Sequence, residues 1–313
     1  MNTIQQILAV IDPTVDSQHS LSRSIDLAKK SGASITAFMS IYDFSYEMTT
    51  MLSAGERESM RASVIKSRQD WLKELIAQPE DNNLNHNLCI TTKVIWHNRP
   101  FEAIIEQVLE HDYDLVVKST HHHDKLKSVI FTPTDWHILR KCPCPVLLVK
   151  DHQWPKNGNI IAAINVGNIE EEHNSLNNKI TEEALHLAKL IEGNAHLVNS
   201  YPGTPVNIAI EIPEFNAVEY NDTMKEHHVQ AMALHTKHYD VAPNNVHVKE
   251  GLPEDVIETL AESLDCELVI LGTIGRTGLS AALIGNTAEH VIDRLNCDLL
   301  ALKPDGYISP LAK

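Results

Sequence analysis

The sequence predicts an α/β protein of two tandem domains, each a doubly wound, five-stranded parallel sheet. Three observations lead there. The chain has 313 residues, enough for about two domains. Its two halves repeat one another at a single offset. Within each half, short apolar runs alternate with helical patterns, the signature of parallel strands joined by crossover helices.

The repeat is read by shifting the chain 153 positions. Ile7–Asp12 (ILAVID) falls on Ile160–Asn165 (IIAAIN), and Arg99–Ile105 falls on Leu252–Glu258 with Pro100 on Pro253. Leu115–Thr120 falls on Leu268–Thr273, Pro145–Lys150 on Asp298–Lys303, and Cys144 on Cys297. Between these landmarks the register drifts, so that Gly32 answers to Gly193. The expected domains are 1–151 and 158–304, joined through the polar stretch DHQWPKNG and followed by a tail at 305–313.

The elements follow in order. Ile7 to Ile11 is an unbroken apolar run, as a buried parallel strand requires. Ser20 is expected to cap a helix carrying Leu21, Ile25 and Ala28, closed by Gly32. Strand two is Ile35 to Ile41. A long helix over 53–78 aligns Met60, Val64, Trp71 and Leu75 on one stripe. Ile90 to Trp96 is strand three. Pro100 opens a helix with Phe101, Ile104, Ile105, Val108 and Leu109 on one face. Asp114 to Val117 and Val146 to Val149 are strands four and five, with a short helix around Trp136 to Arg140 between them. The second copy repeats the plan. Ala184, Leu187, Ala188 and Ile191 form a helix face closed by Gly193. Val256, Ile257 and Leu260 mark a later helix, and Ala288, Val291, Ile292 and Leu295 the last. In open sheets of this kind ligands bind beyond the carboxyl ends of the strands, where the strand order reverses. That rule selects the loops after Ile164 and Leu271.

Composition narrows the function. The chain is 43% hydrophobic and 22% charged, normal for a globular protein. No apolar run reaches the length of a membrane span, and MNTIQQILAVID lacks the basic start of a signal peptide. Neither membrane insertion nor direct nucleic-acid binding is expected at a net charge of −16, because both partners recruit basic surface. The five cysteines form no CxxC pair or disulfide framework, so a cytoplasmic protein is expected. Cys142-Pro143-Cys144 is spaced too tightly for a standard zinc pair and reads as structural.

The motif that bears chemistry is Gly272-x2-Gly275-x9-Gly285 in the second copy, with Asn286 and Thr287 opening a helix. Glycines let backbone approach an anion where a Cβ would intrude. A helix N-terminus offers free N–H groups and the positive end of its dipole. Together they make a phosphate cradle, with a tight turn that only packs the sheet as the alternative. Arg276 either reaches a phosphate or lies on the surface. The first copy has lost the pattern. Ser119, His122, Thr132 and Pro133 stand where the second has Gly272, Gly275, Gly285 and Asn286, and proline has no N–H to give.

These glycines, the strand-one ends Asp12 and Asn165, Gly251-Leu252-Pro253 and the cysteine before each last strand resemble the universal stress protein family. The resemblance covers nearly the whole chain. Ile41–Met48, Trp96–Pro100 and Phe131–His137 resemble its tandem members. It implies a Rossmann-like fold of the adenine-nucleotide alpha hydrolase-like kind, ATP or AMP binding in many members, and roles in stress survival such as after DNA damage. Gly272, Gly275 and Gly285 would meet phosphates and ribose, and Asn165 would sit near the adenine. The chain departs from the family in having Asn286 where Ser or Thr is usual, and Asn165 where Asp is common. A non-enzymatic binding protein for a small-molecule ligand is expected, with one copy standing in for the second subunit of a dimer. Further pairing into a homodimer stays open, as do protein partners. The alternative is a scaffold whose cavity takes a non-nucleotide ligand or none.

Other sites have competing readings. His121, His122 and His123, with Asp124 and with His97 and His137 near them, suit either a metal, another ligand or a polar loop. Asn207–Phe215 (NIAIEIPEF) lines a pocket, forms a partner surface or packs as a lid. Trp71, Trp96 and Trp136 read as packing residues. No HExxH, nucleophile elbow or Walker lysine is present.

Overall fold

The computed structural model describes residues 4–45, 52–77, 88–122, 129–167, 171–204, 216–273 and 286–312. Contacts divide the chain into two compact units. One comprises 2–121, 131–151 and 308–313; the other comprises 122–130 and 152–307, with residue 1.

In the first unit the chain runs β1 (Gln6–Val10), α1 (His19–Ser31), β2 (Ser34–Ile41), α2 (Ala54–Ala77), β3 (Ile90–Trp96), α3 (Pro100–Glu110) and β4 (Leu115–Ser119). Next along the chain, the two-residue strands β5 (His121–His122) and β6 (Val129–Ile130) pair with each other; residues 122–130 belong to the other unit. Then come α4 (Pro133–Lys141) and β7 (Val146–Val149). The strand order is β3-β2-β1-β4-β7, every pair parallel. The order reverses between β1 and β4, as expected of a doubly wound sheet.

Apolar periodicity locates the core, with four corrections. Ser20 does not cap α1. The helix starts two residues earlier, at His19, and Gln18 is its N-cap. Ser20 is buried, and its Oγ donates to Val10 O at 2.7 Å. On α2, Val64, Trp71 and Leu75 are half-buried, Met60 is exposed, and Leu72 is the fully buried residue. A helix lying on the edge strand β3 has only a narrow face to bury. Leu109 of α3 is exposed although Ile104, Ile105 and Val108 are buried. Gly32 closes α1 as expected, with φ 79° and its N–H on Ala28 O at 2.8 Å.

The second unit repeats the plan: β8 (Asn159–Ala163), α5 (Glu171–Leu190), β9 (Asn194–Tyr201), α6 (Ala217–Thr236), β10 (Val246–Glu250), α7 (Pro253–Ser263), β11 (Cys266–Gly272), α8 (Asn286–Arg294) and β12 (Asp298–Leu302). Its order is β10-β9-β8-β11-β12, again parallel, reversing between β8 and β11. Pro253 is the first helical residue of α7, as Pro100 is of α3. The fourth correction is at Gly193. The left-handed residue is Glu192, with φ 56°. Gly193 is needed because a Cβ there would run into Gly158 O. From His152 onward the connection packs into this unit. Trp154 Nε1 donates to the buried Asp298 Oδ2 at 3.0 Å, and His152 Nε2 lies 3.2 Å from Glu267 Oε2.

Candidate functional site

The second unit's reversal point lies between β8 and β11, where Ala163 pairs with Leu271. The next residues on each strand bring Ile164–Asn165 and Gly272–Thr273 side by side. This is the pair of loops that the sequence selects. Asn165 is exposed, and its backbone is gripped from α5. Its N–H donates to Asn177 Oδ1 at 3.0 Å, and Asn177 Nδ2 donates to its C=O at 2.9 Å. A primary amide satisfies both groups at once because it carries a donor and an acceptor side by side. The first unit uses the same device. Asp12 N–H donates to Gln18 Oε1 at 3.1 Å, and Gln18 Nε2 donates to Asp12 O at 2.6 Å.

The following residue is held from β9. Val166 N–H donates to Asn199 Oδ1 at 3.1 Å, and Asn199 Nδ2 lies 3.0 Å from His228 Nδ1 on α6. Asn199 is fully buried. Because its oxygen is taken by Val166, its NH2 must donate to His228, which is therefore a neutral imidazole protonated at Nε2. Burial lowers the His228 pKa, and the neighbouring His227 lowers it further, in keeping with that form. His228 stacks on Tyr201 with ring centroids 5.3 Å apart. A Cβ on Gly167 would collide with its ring.

On the other side of the reversal point, Thr273 closes β11. Its N–H and Oγ1 both donate to Leu302 O, at 2.8 and 3.2 Å. Thr120 repeats the pair of bonds to Val149 O, at 2.9 and 3.2 Å. Lys303 is buried, with Nζ 3.4 Å from Thr273 O and 4.8 Å from the Tyr307 ring centroid. A positive charge thus stands where the glycine loop begins. Gly272 has a packing reason for lacking a side chain, since a Cβ there would run into Leu176 Cδ2 of α5. Gly275, Arg276 and Gly285 lie outside the described residues. Asn286 and Thr287 are the first two residues of α8.

The same places in the first unit are filled from within. Ser119 Oγ accepts the Ser20 N–H at 2.8 Å. Thr132 caps α4, and Asp135 completes the capping box, with Oδ2 accepting from Thr132 N at 2.7 Å and Thr132 Oγ1 at 2.8 Å. The other oxygen of Asp135 pairs with Lys118 Nζ at 2.8 Å, with the carboxylate fully buried. The chain supplies its own anion to this helix start. The residues 153 positions later are Leu271 for Lys118 and Ala288 for Asp135. At these two positions the second unit has neither a carboxylate nor a lysine; the acidic residue in the first turn of α8 is Glu289.

The amide clamps, the Asn199–His228 link and the Lys118–Asp135 pair are not singled out by the sequence reading. One signal for Asn177 exists: it is an amide lying between Leu176 and Ile180 on the buried face of a helix.

Of the histidine cluster, His123 and Asp124 lie outside the described residues. His97 accepts from Arg99 N–H at Nδ1, 3.0 Å away. His137 stacks on Phe101 at 4.1 Å. Burial lowers its pKa, with Lys141 and Arg140 adding to the effect. No group of three or more metal-ligating side chains occurs among the described residues. Trp96 meets the Tyr42 ring edge at 5.9 Å, and Trp136 lies 5.6 Å from Phe131, in keeping with packing roles. The segment 207–215 lies outside the described residues. Among those described, no helix is long and apolar enough to cross a membrane.

Comparison with known proteins bears on all of this. The model of the universal stress protein family matches residues 3–150 and 172–303. Universal stress protein E of Escherichia coli K12 is 50% identical over 312 residues, covering 99% of this chain and 98% of the relative. A Haemophilus influenzae homologue of that protein is 41% identical, covering 96% and 97%. A crystal structure of a functionally unknown protein from Pseudomonas aeruginosa PAO1 superposes with TM-score 0.72 at 28% identity, covering 96% of this chain and 93% of that one. A universal stress protein from Archaeoglobus fulgidus shares the fold, with TM-score 0.63 at 15% identity, 97% of this chain and 99% of that one. Two family matches, full-length relatives and two units of one topology agree that the chain belongs to the universal stress protein family.

Proposed function

We propose that this is a cytoplasmic stress-response protein whose second unit holds an adenine nucleotide such as ATP or AMP, or a similar small anion, without turning it over. The ligand sits at the carboxyl edge between β8 and β11. On this reading Gly272, Gly275, Arg276, Gly285, Asn286 and Thr287 serve its phosphates, and Asn165, with its backbone clamped by Asn177, serves the base. The domains proposed are 1–151 and 158–304, with 305–313 as a tail. The observation that supports this reading is the difference between the copies. The first fills its helix start with Asp135 and Lys118, while the second has Ala288 and Leu271 there and opens α8 with no carboxylate of its own at that position. One observation favours a scaffold with a non-nucleotide ligand or none: the space above Gly272 is already taken by Leu176.

Calorimetry with the full chain tests the reading. ATP is expected to bind at one site and Gly285→Trp to abolish binding. Ala288→Asp, which copies the first unit's carboxylate, is expected to weaken it at least about tenfold, or ~1.4 kcal/mol. No heat with folded protein at millimolar ATP refutes it and favours the scaffold. Steady phosphate release that Gly285→Trp abolishes refutes the non-enzymatic part.

A further inference from the structure

Cys142 and Cys144 flank Pro143 at the junction of α4 and β7, and their sulfurs lie 3.6 Å apart. Cys142 is fully buried and its N–H holds the end of α4 on Ile138 O at 2.8 Å. Cys144 is partly exposed. Two residues of extended chain span about 7 Å at most, the upper end of the Cα separation that a disulfide tolerates. Both thiols are free.

We propose that Cys142 and Cys144 form a modification site, a dithiol that a peroxide closes to an intramolecular disulfide. Cys144, the less buried residue of the two, attacks one peroxide oxygen as its thiolate. The O–O bond breaks, leaving Cys144 sulfenic acid and hydroxide, and the hydroxide becomes water with the proton Cys144 gave up. Cys142 then attacks the Cys144 sulfur, the S–O bond breaks, and the second hydroxide leaves as water with the Cys142 proton. Two thiols and one hydrogen peroxide become one disulfide and two waters. The sulfurs lose two electrons and the peroxide gains them.

The other thiols are placed differently. Cys89 is exposed. Cys266 and Cys297 also hydrogen-bond to each other, but both are buried, which keeps a peroxide from either sulfur. The hydrogen bond to Cys142, with burial next, raises the Cys144 pKa well above the usual thiol range. Closure is therefore slow at neutral pH and speeds up as pH rises.

Mass spectrometry of the full-length protein tests this. The reduced protein is treated with hydrogen peroxide, blocked with iodoacetamide and digested with trypsin. The peptide Cys142–Lys150 holds both thiols and no other cysteine. It is expected to lose the mass of two hydrogens and take no alkyl group, while Cys266 and Cys297 stay reduced. In Cys142→Ser, Cys144 is expected to accumulate sulfenic acid that dimedone traps. The rate of closure is expected to rise about tenfold from pH 7 to pH 8, following the thiolate fraction. A peptide alkylated on both sulfurs after Cys89 has oxidised, no dimedone adduct on Cys144, or a pH-independent rate overturns the proposal.

Discussion

Replacing Asp135 with Ala tests the claim that the first copy fills its own anion site. The carboxylate is fully buried and Lys118 is 12% exposed. The substitution removes the 2.8 Å ion pair and both hydrogen bonds that hold Thr132 as the cap of α4. Lys118 is left with Ser119 O at 2.9 Å, a neutral acceptor. Removing one partner of a buried pair costs about 3–5 kcal/mol, because the other charge stays desolvated. The Ser119 contact places this case near the lower end, at about 3 kcal/mol. At a urea slope of about 1–3 kcal/mol per molar, the midpoint falls by roughly 1–3 M. Tryptophan fluorescence reports it, since Trp71, Trp96 and Trp136 all lie in the first copy. A second variant separates charge from packing. Lys118→Met with Asp135→Leu removes both charges and is expected to lose less than Asp135→Ala alone. A loss under about 1 kcal/mol for Asp135→Ala, the value of an exposed pair, refutes the reasoning, as does a double variant that loses more.

Other expectations follow from single sites. Gly272→Ala places a Cβ against Leu176 and is expected to cost about 1–3 kcal/mol by overpacking; adding Leu176→Ala should recover part of it in the same urea titration. Asn177→Ala leaves the Asn165 N–H and C=O without their amide partner and is expected to destabilise by about 1–3 kcal/mol, with ATP affinity falling in parallel. Glu183 on α5 is buried, its Oε2 has no hydrogen-bond partner among the described residues, and burial raises its pKa from 4.5 to about 7, with Lys179 pulling the other way. An acid whose pKa is raised by folding binds more protons when folded, so its contribution is neutral below about pH 4.5 and becomes unfavourable as pH rises to 7. Glu183→Gln is therefore expected to gain stability relative to the parent through that window, reaching about 3 kcal/mol at pH 8. A difference curve that is flat with pH would count against this.

Much of the fold was legible because periodicity and punctuation are local. Pro100 and Pro253 start helices where proline's fixed φ suits the first turn, and Gly32 ends one where φ must be positive. The misreadings also have local causes. Ser20 looks like a cap by its type, yet a β-strand carbonyl, Val10 O, claims its hydroxyl. Met60 keeps the helical spacing of α2, but an edge strand offers too little surface to bury it. Glu192 takes the left-handed conformation that glycine would ordinarily supply, and Gly193 is glycine for another reason: Gly158 O occupies the space beside it.

By itself the sequence determined the duplication, the parallel architecture, the loops that meet at the reversal point, and the loss of glycines from the first copy. A constant offset and a repeating alternation of patterns are properties of the chain, and they survive without coordinates. Only the tertiary structure decided what those losses mean. Ser119 meets Ser20 across 99 residues, Asp135 meets Lys118, and Asn177 grips Asn165. The residue numbers alone do not place such partners, since these bonds form only after the sheet brings distant strand ends together. It also gives Gly272 a packing reason for its absent side chain, which makes room for a leucine from α5.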